Sequence, residues 1–338
     1  MVHELDLLEL AAAWRSEGRR VALATVVAAW GSSPHPPGSQ LLADDSGRFM
    51  GSVSGGCIEG EVMRLSLDVI DTGEPALLDF GIANEDAWSV GLSCGGRIEV
   101  FVEPVSRMKA DVLSAIFEAK RAKVPVALLT QLSTGEQIVV GLASVSYDTE
   151  IDPGAIRRSL KLLAEDRSAR FDSASGPVFI QVFNPPFKLI VVGAVHIAQP
   201  LARLGALAGY EILIIDPRGA FAEAERFDAL RVDARWPDLA LAEITADRRT
   251  ALVTLTHDPK LDDPALAWAL RSPASCIGAL GSRKTHGSRL DRLAQLGFSA
   301  AECARIHGPV GLGIGAVTPA EIAISIMAQI TKARRAKV

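Results

Sequence analysis

The sequence predicts an α/β protein in which a C-terminal Rossmann-like, doubly wound parallel sheet follows an N-terminal α+β domain. Strand and helix patterns alternate over roughly the last 150 residues, which is typical of a parallel sheet with helices on both faces. The chain has 338 residues, a length that suits two domains. Asn184-Pro185-Pro186 interrupts both helix and strand. We therefore expect one domain over residues 1–183 and another over residues 187–338.

The composition excludes several classes of protein. The net charge of −5 gives no basic surface for nucleic acid, and four cysteines fit a reducing compartment better than a disulfide framework. The first residues lack the basic and then apolar pattern of a signal peptide. The longest apolar run, Val21–Trp30, is about half as long as a membrane-spanning helix. We therefore expect a cytoplasmic protein that binds neither nucleic acid nor membrane.

The N-terminal part mixes helical and strand patterns. Leu5–Arg15 has apolar residues at helical spacing, and Val21–Ala29 is a β-branched apolar run typical of a buried strand. The patterns then predict an irregular segment, a helix with a Gly cap, two strands and a helix over Gly31–Gln40, Ile58–Gly73, Leu77–Phe80, Arg97–Val105 and Met108–Lys120. Between Val124 and Val182 we expect a strand, a hairpin at Thr134-Gly135, a strand, a helix opened by Asp152-Pro153 and a strand.

The C-terminal part repeats strand, turn and helix. Strands are predicted over Lys188–Gly193, Glu211–Asp216, Thr250–Thr256 and Ser275–Leu280. Helices are predicted over Ile197–Gly209, Pro264–Arg271, Thr285–Leu296 and Ala300–Ile306. A closing helix begins at Thr318-Pro-Ala-Glu321, where Thr and Glu form a capping box and Pro takes the first helical position.

The first strand of this second half ends in a glycine turn that resembles a dinucleotide-binding fingerprint. Gly193-Ala-Val-His196 opens a helix, and Asp216 ends the next strand 23 residues after Gly193, which is the usual place of the carboxylate that binds a ribose. The middle glycine of the fingerprint is replaced by Val195, whose branched side chain opposes the approach of a pyrophosphate. Val195 therefore disfavours NAD(P), although the helix opening near His196 suits a single phosphate.

Two cysteines lie in glycine-rich turns, Ser54-Gly55-Gly56-Cys57 and Ser93-Cys94-Gly95-Gly96. Glycines expose backbone amides and leave room for a bulky ligand to reach sulfur, and the helix that follows Cys57 favours a thiolate there. A thiolate in such a turn suits a soft metal or a sulfur-containing ligand. Alternatively, these cysteines are small buried hydrophobes, which is our interpretation of Cys276 and Cys303.

Polar loops follow two strands of the predicted parallel sheet. Thr256-His257-Asp258 follows one strand, and Gly281-Ser282-Arg283-Lys284 follows the next. Ligands of such sheets bind beyond the carboxyl ends of the strands. The second loop offers amides, a hydroxyl and two cations to an anion, whereas His257-Asp258 is equally consistent with a simple helix cap.

Several segments resemble the xanthine dehydrogenase accessory protein family, XdhC/CoxI. The matching segments span nearly the whole chain: Gly31–Gly38, Gly51–Gly60, Gly91–Glu99, Leu255–Asp263, Ile277–Arg283 and Ile306–Leu312. The family usually has Gly-Ala-Gly-His where this chain has Gly193-Ala-Val-His196. That difference bears on any nucleotide-binding role of the turn.

The resemblance implies a chaperone rather than a catalyst. Family members bind the molybdenum cofactor (molybdopterin), hold it while a cysteine desulfurase replaces an oxo ligand by a sulfido ligand, and insert it into an apo molybdenum hydroxylase. The family's cofactor-contacting cysteine corresponds to Cys57 or Cys94, each a possible contact to molybdenum or sulfur, with Gly55, Gly56 and Gly95 beside them. The resemblance also suggests a homodimer.

Two alternatives stay open on the sequence alone. The first is an NAD(P)-linked oxidoreductase that uses the Rossmann domain, with Asp216 on the ribose and His257 as acid or base. The second is a regulatory or scaffold protein whose cysteines are structural. Nicotinamide titration and thiol-reactivity mapping distinguish these alternatives from the chaperone.

Overall fold

The computed structural model describes residues 6–31, 35–80, 96–141, 153–219, 227 and 230–335. It divides into two compact units, Glu4–Pro185 and Pro186–Val338. Within the described residues, none of the helices is both long and apolar enough to cross a bilayer.

The C-terminal unit is built on a six-stranded sheet whose strands are all parallel. In chain order these strands are β10 (Phe187–Val192), β11 (Tyr210–Ile215), β12 (Arg231–Asp233), β13 (Thr250–Thr254), β14 (Cys276–Ala279) and β15 (Ile306–His307). Their order across the sheet is β12-β11-β10-β13-β14-β15. The order reverses between β10 and β13, which makes this a doubly wound Rossmann-like sheet and confirms the predicted fold class.

Helices cover both faces of this sheet. They are α5 (Ala198–Leu207), α6 (Pro237–Ala242), α7 (Pro259–Leu270), α8 (Arg283–Gln295), α9 (Ala300–Cys303) and α10 (Pro319–Arg335). Leu189 and Val191 of β10 point to a core that contains residues of α5 and α10. Ile190 and Val192, the alternate residues, point to a core with α6, α7 and α8. A strand that is buried on both faces reads as a continuous apolar run, which is why the sequence predicted this half so directly.

The N-terminal unit contains two antiparallel sheets, in keeping with the predicted α+β domain. The first has the order β3-β2-β1-β5-β4 and consists of β1 (Val21–Trp30), β2 (Gln40–Asp44), β3 (Phe49–Gly51), β4 (Ala76–Phe80) and β5 (Arg97–Pro104). Its helices are α1 (Leu7–Ser16) and α2 (Glu59–Thr72). Alternate residues of β5 divide between the faces: Val100 and Val102 pack with α2, whereas Phe101 packs with Phe179 of the second sheet.

The second sheet has the order β7-β6-β9-β8. Its strands are β6 (Val126–Gln131), β7 (Gln137–Gly141), β8 (Ala169–Ser173) and β9 (Gly176–Phe183), and its helices are α3 (Ala110–Ala122) and α4 (Pro153–Glu165). A small cavity lies where β1 and β5 meet β6 and β9, and polar side chains lie among its lining residues.

Several local predictions were wrong. The strands β2 (Gln40–Asp44) and β3 (Phe49–Gly51) follow the predicted irregular segment and were not predicted, and β8 adds an unpredicted strand before β9. Pro264 lies inside α7 instead of opening it. The predicted helix Ala300–Ile306 ends at Cys303 because the chain turns there to form β15. The short elements β12 and α6 were not predicted from the sequence.

Candidate functional site

The Cys57 turn, residues Ser52–Ile58, connects β3 to α2. The side chains of Val53 and Ile58 are fully buried in the core beneath α2 and anchor the turn at both ends. Gly55 and Gly56 adopt positive φ angles of 76° and 113°, a conformation that L side chains rarely adopt. Two consecutive glycines of this kind turn several backbone amides toward one point.

The carboxylate of Glu59 occupies that point. Its Oε1 accepts hydrogen bonds from the Ser52 hydroxyl (2.6 Å) and from the amides of Val53 (3.3 Å), Ser54 (2.9 Å) and Gly55 (2.9 Å). Its Oε2 accepts from the Gly56 amide (2.7 Å) and from the Ser54 hydroxyl. Partial burial opposes ionisation, but these donors lower the pKa of Glu59 to about 2. The turn is therefore closed around a permanent negative charge.

The backbone that precedes Cys57 is exposed. Gly55 and Gly56 are exposed, and a Cβ added at Gly56 would meet no atom within 4 Å. Cys57 itself is half-buried, is not in a disulfide and packs against the core beneath α2. The Nε2 atom of His35 lies 3.3 Å from the Ser52 hydroxyl, so an imidazole borders the same turn. The glycine side of the turn is thus free of packed side chains at Gly56.

The other predicted cysteine turn is Ser93–Gly96. Cys94 and Gly95 lie outside the described residues. Cys276 and Cys303 are buried, as the sequence predicted, and neither is in a disulfide; burial raises the pKa of the Cys276 thiol to about 12. Among the residues that the structure describes, no three His, Cys, Asp or Glu side chains are grouped as a metal site.

The carboxyl edge of the parallel sheet brings the C-terminal candidates together. Gly193 follows β10 with a φ of 106°, and a Cβ there would lie 2.4 Å from Cγ2 of Thr256. His257 has a left-handed φ of 67°, which is strained for a non-glycine residue and is typical of functional sites. A Cβ at Gly281 would lie 3.4 Å from Nδ1 of His257. The loops after β10, β13 and β14 thus form one surface.

Individual residues at this edge have different environments. His196 is exposed just before α5. Ser282 caps α8 by accepting the Thr285 amide at 3.1 Å, and Arg283 is the first residue of that helix. Asp258 caps α7 through the Lys260 amide at 2.9 Å, so the capping interpretation of this residue is the one the structure supports.

Asp216 is fully buried at the end of β11. Its carboxylate accepts hydrogen bonds from the Ala194 amide (2.8 Å) and from Nε (2.9 Å) and Nη2 (2.7 Å) of Arg218. Burial opposes ionisation, yet Arg218 and the amides keep the pKa of Asp216 below its ordinary value. The acid that would bind a ribose is thus engaged within the chain. Val195, in the middle of the glycine turn, packs against the core under α5.

His35 was interpreted from the sequence as an exposed turn residue within Pro34–Gly38. Glu59 was missed by the sequence interpretation, which concentrated on the glycines and the sulfur. The available signal was an acidic residue in the first turn of a helix that directly follows several turn residues. Carboxylates in that position complement free amides.

Comparison with known families now assigns the chain. Residues 189–330 match the model of the XdhC Rossmann domain, and residues 14–81 match the model of the XdhC and CoxI family. The two matched segments together span more than half of the chain. The chain belongs to the XdhC/CoxI family. The first matched segment contains the carboxyl edge of the sheet, and the second contains the Cys57 turn.

Known relatives of this XdhC/CoxI protein are similar over nearly its full length. It is 26% identical to a probable xanthine dehydrogenase subunit from Bacillus subtilis over 93% of each chain. It is 27% identical to the molybdenum cofactor insertion chaperone PaoD of Escherichia coli, over 94% of this chain and 84% of PaoD. A crystal structure described as that of a xanthine dehydrogenase from Bacillus halodurans matches with a TM-score of 0.79 and 26% identity, covering 98% of this chain and 96% of that one.

Proposed function

We propose that this XdhC/CoxI protein binds the molybdenum cofactor as cargo and inserts it into an apo molybdenum hydroxylase of the xanthine dehydrogenase type. The observation on which the proposal depends is the Cys57 turn, where the half-buried residue Cys57 directly follows two exposed glycines. Thiolates are suitable ligands for soft metals and sulfur-rich groups. The name of the relative PaoD supports the same cargo.

Cofactor retention tests this proposal directly. The full-length protein is mixed with purified molybdenum cofactor under anaerobic conditions and ultrafiltered, and molybdenum is measured in the retained fraction. We expect near-stoichiometric retention by the wild type and its loss in Cys57→Ser. Cys303→Ser is the matched control because Cys303 is a buried residue at the end of α9. Equal retention by Cys57→Ser and wild type would contradict the assignment of Cys57, and Cys94→Ser would then be tested as the second cysteine variant.

The cofactor also has a phosphate, for which the carboxyl edge of the Rossmann sheet offers two positions. One is the start of α8 at Gly281, Ser282 and Arg283, and the other is the glycine turn at Gly193 and His196. Helix N-termini attract phosphate through free amides and the helix dipole. Arg283→Ala should weaken retention, whereas Arg271→Ala, at the far end of α7, should leave it unchanged.

The finer steps of the proposal involve partner proteins. The bound cofactor would receive its sulfido ligand from a cysteine desulfurase and then pass to the apo hydroxylase, with a cytoplasmic homodimer as the working form. Activation of a purified apo hydroxylase by the loaded protein, with and without the desulfurase, tests both steps. Light scattering of the purified chain tests the dimer. Activation that is equally fast with free cofactor would contradict the insertion role.

A further inference from the structure

The contacts of the Cys57 turn raise the question of what holds the thiol in place. Cys57 makes none of the side-chain hydrogen bonds that shape the described turn. The backbone instead depends on Glu59, two residues further along the chain, whose carboxylate receives six donors from Ser52–Gly56. The turn therefore has a single electrostatic centre, and that centre belongs to the chain itself.

The two hydroxyls of the turn extend the same network. Besides donating to Glu59, the Ser52 hydroxyl accepts the Gly55 amide at 3.0 Å. The Ser54 hydroxyl accepts the Ile58 amide at 3.0 Å, and this amide follows directly after Cys57. The residues on both sides of the sulfur are thus tied, directly or through one serine, to the same carboxylate.

Glu59 also determines which anion the amides of the turn bind. Four consecutive amides, Val53–Gly56, point at its carboxylate. Amides arranged in this way stabilise any anion that occupies their centre. Because Glu59 occupies that centre, these amides are not available to a Cys57 thiolate.

We propose that Glu59 is the positioning residue of the Cys57 turn: its carboxylate occupies the amides of Val53–Gly56, fixes the backbone on both sides of Cys57 and thereby holds the Cys57 thiol in place for the molybdenum cofactor. This inference rests on the proposed function, in which Cys57 binds that cargo. Glu59 itself touches no cargo and acts through the conformation of the turn.

The sharpest variant is Glu59→Gln, because glutamine has the same size but places two N–H donors where only acceptors fit. Glu59→Asp keeps the charge on a shorter side chain and is the rescue variant. Glu61→Gln is the matched control, since Glu61 lies in the same first turn of α2 but pairs with Arg64 on the exposed surface. All are made in the full-length protein, and thermal melting establishes the temperature range in which each remains folded.

The first measurement is the rate of iodoacetamide alkylation at Cys57, resolved by peptide mass spectrometry between pH 5 and pH 9. In Glu59→Gln the amides lose their anion and become available to a Cys57 thiolate, the reactive form. We expect the rate at pH 7 to rise about tenfold, as a displacement of one pH unit in the rate profile would produce. Glu59→Asp should return most of the way to wild type, and Glu61→Gln should not differ from it. A merely structural role would lower the melting temperature without moving this profile.

The second measurement is cofactor retention by the same variants. Glu59→Gln should retain at least about tenfold less molybdenum cofactor than Glu61→Gln, a change in affinity of about 1.4 kcal/mol. An unchanged alkylation profile in Glu59→Gln would overturn the positioning role, and so would full retention by Glu59→Gln when Cys57→Ser has lost retention. If the alkylation profile of Glu59→Gln moves but Cys57→Ser retains cofactor like the wild type, Cys57 is not the cargo ligand and the proposed function of Cys57 is wrong. The role of Glu59 in fixing the turn would still be supported.

Discussion

The side-chain nitrogen Nε2 of Gln137 lies 2.9 Å from each carboxylate oxygen of Glu103. Both side chains are buried where β5 of the first sheet meets β7 of the second. Burial raises the pKa of Glu103 to about 8, although Gln137 and the more distant Arg107 act in the opposite direction. Glu103 is therefore mainly protonated and uncharged at pH 7. The contact between the two sheets of the N-terminal unit thus contains a buried neutral carboxylic acid.

This proton makes stability depend on pH. Because the pKa of Glu103 is about 8 in the folded chain against an ordinary 4.5, the folded form binds the proton more tightly. The contribution of Glu103 protonation to the free energy of unfolding is complete below pH 4.5 and is lost as the pH rises through 8. The free energy of unfolding falls over this range by up to about 1.4 kcal/mol for each pH unit. Urea unfolding of Glu103→Gln should show a shallower decline between pH 5 and pH 9. Glu136→Gln, at an exposed position before β7, should keep the wild-type slope; equal slopes in both variants would contradict the buried proton.

Glu103 also illustrates what the sequence could and could not predict. The apolar runs of β10, β11 and β13 and the glycine turn at Gly193 predicted the Rossmann half correctly, since a parallel sheet buried on both faces has a strong pattern. By contrast, β5 was predicted as a strand, but the pairing of its residue Glu103 with Gln137 was not. Contacts such as Glu103–Gln137 join residues 34 positions apart, and periodicity within one segment carries no information about them.

The Cys57 turn shows the same limit at shorter range. Its glycines and its sulfur were recognised from the sequence because those residue types have few other uses in such a cluster. The role of Glu59 was not, because a glutamate at a helix start is ordinary on any surface. Only the folded chain shows that six donors converge on it. Likewise, Asp216 was predicted as a ribose ligand. Its hydrogen-bond partner Arg218 lies only two residues away, but no sequence pattern predicted that the two side chains pair.

A second prediction concerns the close approach at Gly193. Gly193→Ala should destabilise the protein by about 1–3 kcal/mol, since the added Cβ would lie 2.4 Å from Cγ2 of Thr256 at a φ of 106°. Thr256→Ser removes that methyl group but keeps the hydroxyl bond to Asp262 (2.6 Å), so the double variant should recover part of the loss. Gly287→Ala, in α8 with open space around it, should stabilise by up to about 1 kcal/mol. Chemical denaturation measures all four; a neutral Gly193→Ala would show that the two loops do not touch.

A third prediction addresses the strain at His257. Its φ of 67° is better tolerated by asparagine than by histidine, so His257→Asn should raise the free energy of unfolding by a few tenths to about 1 kcal/mol. Strain that is maintained for function should be relieved at a functional cost, and we expect the same variant to retain less molybdenum cofactor. His196→Asn, an exposed substitution on the neighbouring loop, should not stabilise. A His257→Asn variant that is less stable than wild type would show that contacts of the imidazole contribute more to the free energy of unfolding than the strained backbone conformation costs.

The last prediction concerns the ion pair that joins α7 and α8. Nη2 of Arg289 lies 3.2 Å from Oδ2 of Asp262 and 3.0 Å from the Leu280 carbonyl oxygen, and both charged side chains are 1% exposed. In the described part of the chain, Nε and Nη1 of Arg289 have no hydrogen-bond partner, so this pair is incompletely satisfied. Removing one partner alone leaves a buried charge, and Arg289→Met should cost about 3–5 kcal/mol.

The double variant separates the pair from its surroundings. Asp262→Asn in the Arg289→Met background removes the stranded charge and keeps an oxygen that can accept the Thr256 hydroxyl, which now donates to Oδ1 of Asp262. We expect it to recover most of the loss, because an imperfect buried ion pair contributes little beyond neutralising itself. Urea unfolding of the wild type, both single variants and the double variant gives the coupling energy as a double-mutant cycle. If the double variant is no more stable than Arg289→Met, the contribution of Arg289 lies in its hydrogen bond to Leu280 and in packing, and the charge of Asp262 is not what the arginine compensates.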